Sequence, residues 1–64
     1  MESLENKIRG NWNMLKGKFQ QKYGHLTHDD LKYEKGKEIE LIGRIQRRTG
    51  MSHSEFKNYV NSIV

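Results

Sequence analysis

His25 and His28 stand three apart and are followed at once by Asp29 and Asp30, a spacing that could offer two imidazoles and a carboxylate to a divalent metal. Such a site needs three or four converging ligands oriented by a second layer of hydrogen bonds. These four residues fall where a turn and a helix cap are expected, and His53 occupies the matching place at a second cap, so the structural reading is preferred. No metal or other cofactor is expected. Two carboxylate pairs, Asp29/Asp30 and Glu38/Glu40, have the chemistry for general acid–base work. The first lies at the cap and the second on a face expected to be solvated. No serine nucleophile motif and no glycine-rich phosphate loop after a strand occurs. A core built from 64 residues leaves little room for a substrate pocket. No catalytic residues are assigned, and the chain is not expected to be an enzyme.

The cations form two clusters. Arg44, Arg47 and Arg48 stand at i, i+3, i+4, and Lys18 and Lys22 at i, i+4. All five are candidates for anion or nucleic-acid contact. The competing reading is that cations near a helix C-terminus complement its dipole. A net charge of +4, from 12 Lys and Arg against 8 Asp and Glu, supports only weak attraction to nucleic acid or anionic lipid. The paired turns carry Asp29, Asp30 and Glu55 where phosphate-gripping helical hairpins carry glycines. Weak, sequence-independent nucleic-acid binding therefore ranks second, behind a protective or protein-interaction role with a partner protein or a second copy. Trp12, Phe19 and Tyr23 could face a membrane or partner, but a chain with so few large apolar residues is expected to bury them.

The elements that would position these residues follow from apolar spacing. Ile8, Trp12, Leu15, Phe19 and Tyr23 fall on one helical stripe. Gly24 is the expected left-handed stop of this first helix. Thr27 as N-cap, Asp30 three residues on, and the staple pair Leu26/Leu31 predict a short second helix running to about Glu34. A third, from about Lys35 to Thr49, carries Ile39, Leu41, Ile42 and Ile45 and stops at Gly50. Ser52 and Glu55 form a capping box, Met51/Phe56 repeat the staple, and Phe56, Tyr59, Val60, Ile63 and Val64 give the last helix its stripe. No strand is expected.

The two halves repeat. Leu15-Lys16-Gly17-Lys18-Phe19-Gln20 aligns with Leu41-Ile42-Gly43-Arg44-Ile45-Gln46, and Gly24 aligns with Gly50. After a one-residue slip, Leu26–Leu31 aligns with Met51–Phe56. The expected architecture is therefore an all-α, compact four-helix domain of two related helical hairpins, long helix then short helix, repeated over residues 1–64. Gly17 and Gly43 lie mid-helix, where glycine costs about 1 kcal/mol relative to alanine. Either a second helix or a chain end approaches closely there, or the glycines keep the long helices locally loose.

Gly10-Asn11-Trp12, Lys16-Gly17-Lys18, Gly24-x-Leu26-Thr27-x-Asp29-Asp30-Leu31, Gly36-Lys37, Leu41-x-Gly43 and Ile45-Gln46 together resemble the CsbD-like proteins of bacteria. The resemblance covers about two-thirds of the chain. It implies a small fold of paired helical hairpins and association with the general stress response, and it implies no enzymatic activity. Thr49 stands where members often carry an aromatic residue. No cysteine, no long apolar run and no basic-then-apolar leader occurs, so a cytoplasmic protein without membrane insertion is expected.

Overall fold

A computed structural model describes residues 3–64. Three helices make up the regular structure of these residues: α1 (Leu4–Lys22), α2 (Glu38–Thr49) and α3 (His53–Ile63). Each packs against the other two. The all-α class holds, and the four-helix architecture does not.

In α1, the Ser3 side chain accepts the Asn6 amide at 3.1 Å and opens the helix. Ile8, Trp12, Leu15 and Phe19 then supply its buried face. The helix is kinked at Asn11 (φ −132°, ψ 19°), where the Asn11 amide group donates to the Lys7 carbonyl at 3.0 Å. It ends at Lys22, with Tyr23 as cap donating its backbone N–H to Phe19 O at 2.8 Å. Gly24 is not the left-handed stop. The glycines with positive φ are Gly36 (95°) and Gly50 (77°), and Gly50 does close α2 as expected.

The expected second helix is a single turn over His28–Leu31. Its cap forms in full: Thr27 N donates to Asp30 Oδ2 at 2.9 Å, and Asp30 N donates to Thr27 Oγ1 at 3.2 Å. The turn does not propagate, and the carbonyls that a longer helix would use accept from side chains instead. The Arg44 guanidinium donates to Asp30 O at 3.1 Å and also to Lys32 O, while Trp12 Nε1 donates to Leu31 O at 3.1 Å. The halves consequently differ: α2 and α3 form a helical hairpin, whereas α1 is followed by a pinned loop. The internal duplication survives only as shared local motifs.

Register also departs from expectation at the start of α2. Ile39 is 70% exposed, and Glu38 takes the inward position at 5%. The core closes with Leu26, Leu31, Leu41, Ile42, Ile45, Met51, Phe56 and Val60 around the α1 stripe. Phe19 lies at its centre, stacked on Phe56 at 5.2 Å and meeting Tyr59 edge-on at 5.0 Å. At Thr49 the hydroxyl donates to Ile45 O at 2.8 Å and accepts Met51 N at 3.2 Å, so a polar clasp joins α2 to the turn before α3. Among the described residues, a Cβ built at Gly17 would meet nothing within 4 Å, and at Gly43 only Arg47 Nη1 at 3.5 Å, so neither glycine marks a close approach of another of these helices.

Candidate partner-binding groove

The inward Glu38 is the most strongly perturbed titratable group. Its carboxylate accepts from the Tyr33 hydroxyl, from Gly36 N at 2.7 Å and from Arg9 Nη2 at 3.1 Å. The Tyr33 hydrogen bond first, then the Gly36 amide and the Arg9 cation, hold its pKa down to about 2 against the opposing effect of burial. A carboxylate so occupied has no role as a proton carrier. It ties α1, the loop and the first turn of α2 together, and the left-handed Gly36 aims its amide at it. Glu38 was assigned above to a solvated face, and the apolar spacing gives the reason it is not. Glu38, Leu41, Ile42 and Ile45 stand at i, i+3, i+4, i+7, a stripe that Ile39 does not join.

The histidines do not converge. His25 Nε2 is hydrogen-bonded to the Arg48 carbonyl at 2.9 Å, and among the described residues no group of three or more His, Asp or Glu is placed to hold a metal ion.

The five candidate cations divide into two sets. Arg44 binds the loop carbonyls described above. Arg48 Nε reaches Asp30 Oδ2 at 3.1 Å, and Asp30 titrates below its usual range, chiefly through its hydrogen bond to the Thr27 amide and further through Arg48. Arg47 has no carboxylate within salt-bridge distance among the described residues, and its guanidinium lies back along α2 over Gly43. Arg44 lines a mixed-charge depression with Asp29, Glu34 and Glu40.

Lys18 and Lys22 line a different depression, a groove between α1 and α3 completed by Met14, Gln21, Tyr59, Ser62 and Ile63. Met14 is 47% exposed, and Ile63 is half-buried against the core. Among the described residues, no carboxylate lines this groove. Its geometry is set by Tyr59, which packs on Phe19 and donates its hydroxyl to Lys18 O at 2.9 Å. Burial first, and neighbouring Tyr23 second, push the Tyr59 phenol above its usual pKa, which keeps it a donor. The Lys22 ammonium stands 4.9 Å from the Tyr59 ring centre. Glu55 shares a neighbouring depression with Lys22; its carboxylate closes the Ser52 capping box and titrates below its usual range, chiefly through the Ser52 hydrogen bonds and further through the Lys22 charge. From residue 6 to residue 28 the chain carries Lys7, Arg9, Lys16, Lys18 and Lys22 and no Asp or Glu. The groove joins residues more than forty positions apart, so spacing alone could find its lysines but not its apolar floor.

No helix of the described residues is long and apolar enough to cross a membrane. A family model described as CsbD-like matches residues 6–58. UPF0337 protein YjbJ of Escherichia coli O6:H1 is 40% identical over 53 residues, which cover 83% of this chain and 77% of that protein. A UPF0337 protein of Pectobacterium atrosepticum is 46% identical over 46 residues, 72% of this chain and 67% of the relative. YjbJ of Salmonella typhimurium is 39% identical over 51 residues, 80% and 73% of the respective chains. No solved structure matches the chain.

Proposed function

The chain belongs to the CsbD-like family, and from that premise we propose that it is a non-enzymatic interaction module of the bacterial stress response, acting in the cytoplasm through the α1–α3 groove. The observation that carries this reading is the contrast within the groove itself. Exposed Met14 and half-buried Ile63 form an apolar floor, and Lys18 and Lys22 rim it with no carboxylate in the lining among the described residues. An apolar floor edged by charge is the arrangement that a contact site for another molecule would use. The stress association is supported by the family resemblance.

A photo-cross-linking amino acid at position 14, with position 20 as a control outside the groove lining, tests the reading in stressed cells. A product formed from position 14 and absent from position 20 supports the groove as the contact surface. Equal products from both positions, or none from either, contradict it.

A second reading, weak sequence-independent binding of nucleic acid, is favoured by the acid-free cationic run from residue 6 to residue 28. Its signature is binding to duplex and single-stranded DNA that falls steeply as salt rises, with a log–log slope of about −0.9 per phosphate neutralised on duplex. Absence of binding at low ionic strength removes it.

A further inference from the structure

We propose that the α1–α3 groove takes an acidic amphipathic helix from a partner protein, an assignment that rests on the groove being the contact surface. Apolar side chains of that helix would lie on Met14 and Ile63, and its carboxylates would meet Lys18 and Lys22. Three observations select this chemistry.

The first is charge. Among the described residues the groove lining holds two ammonium groups and no carboxylate, and Glu55, which acts on Lys22 from the neighbouring depression, is held by the Ser52 capping box. A basic partner is repelled and an acidic one steered in.

The second is the floor. Met14, nearly half exposed, and Ile63 offer apolar area that a phosphate polyanion has no group to cover. Met is unbranched and flexible, suited to repacking around an incoming aliphatic side chain.

The third is the state of the aromatic ring. Sequence-tolerant binding of single strands relies on aromatic faces open to bases. Tyr59 is already packed edge-on with Phe19, has the Lys22 ammonium near its ring and has its hydroxyl bonded to Lys18 O. It is a wall of the groove rather than a stacking platform. Lys18 and Lys22 are one helical turn apart, about 6 Å along the axis, which matches carboxylates spaced i, i+4 on a facing helix.

The test is an NMR titration of the full chain with a synthetic amphipathic peptide carrying leucines at i, i+3/i+4 spacing flanked by glutamates. Three further probes accompany it: the same peptide with serine for leucine, an oligo-dT strand, and phosphatidylglycerol vesicles. The proposal expects the signals of Met14, Lys18, Lys22 and Ile63 to move with the leucine–glutamate peptide, and binding to weaken as salt rises. Met14→Asp, or Lys18→Glu with Lys22→Glu, is expected to raise Kd by about tenfold or more. The milder Lys18→Gln/Lys22→Gln pair gives the same direction should the charge reversal disturb folding. Equal or tighter binding by the serine peptide, the oligonucleotide or the vesicles overturns the proposal, as does the absence of any shift at millimolar peptide. If the peptide fails while the position-14 cross-link persists, only the acidic-helix assignment falls. If both fail, the groove reading falls with it.

Discussion

Arg44 and Arg48 on α2, and Lys18 and Lys22 on α1, carry the same sequence signature: cations one turn apart toward the C-terminal end of a helix. The structure treats them in opposite ways. The arginines face a loop rich in acceptors and hold it through Asp30 O, Lys32 O and the Asp30 carboxylate. The lysines lie beside α3, where among the described residues the groove lining offers no carboxylate. Lys22 stands over the Tyr59 ring and acts on Glu55 through space, and neither lysine forms a salt bridge among these residues. What decides between a fold-holding cation and a partner-facing one is the supply of acceptors on the neighbouring element, which helix periodicity does not reveal. Guanidinium, with five donors in a rigid fork, suits the first task, and a mobile ammonium on a flexible stem suits the second.

Several substitutions sharpen or break this contrast. The largest stability effect is expected from removing the two arginines together. Arg44→Ala/Arg48→Ala leaves the Asp30 and Lys32 carbonyls without their guanidinium donors and should cost about 2 kcal/mol by urea unfolding, most of it from Arg44, which holds two carbonyls, while the Arg48 side of its ion pair is half exposed. Hydrogen exchange should speed up in residues 27–37 before it does in α3. A loss below about 0.5 kcal/mol would place the arginines in the same class as the lysines.

The next effect is read against pH. The folded pKa of Glu38 lies below the ordinary 4.5, so its ionised form favours the folded state. That stability is fully present above about 4.5 and is lost as pH falls toward about 2. Asp30 and Glu55 are also lowered and act with the same sign. Glu38→Gln should therefore lower stability at neutral pH and flatten much, but not all, of the acid limb of a stability–pH profile.

Smaller and opposite in sign, Gly17→Ala should stabilise by about 0.5–1 kcal/mol, since the added methyl meets nothing and helix propensity improves. Destabilisation there would restore a close neighbour on that side of α1. Smallest of all, Lys18→Gln should shift stability by less than about 0.5 kcal/mol while weakening the acidic peptide.

Much of the fold is legible in residue spacing. The α1 stripe, the Ser52–Glu55 capping box and the Gly50 stop all occur where local chemistry asks for them. The register at the start of α2 was not readable in advance, because a charged residue in the inward place argues for Ile39, although Glu38 completes the i, i+3, i+4, i+7 set with Leu41, Ile42 and Ile45. The Thr27 segment was not readable. Its cap is as complete as that of Ser52, but a cap only nucleates. Trp12 and Arg44, from elsewhere in the chain, donate to the carbonyls that a longer helix would use, which is a tertiary event. Lys18 and Lys22 were singled out by spacing, while Met14 and Ile63 join them only through the packing of α1 on α3.

The division of labour between the two cation clusters is tested most directly by thermal unfolding of the Lys18→Gln/Lys22→Gln variant beside the Arg44→Ala/Arg48→Ala variant. The lysine variant should melt within a few degrees of the parent chain, and the arginine variant on the order of 8–16 °C lower. Equal melting of the two, or a lower midpoint for the lysine variant, would contradict the assignment of the arginines to the fold and the lysines to a partner.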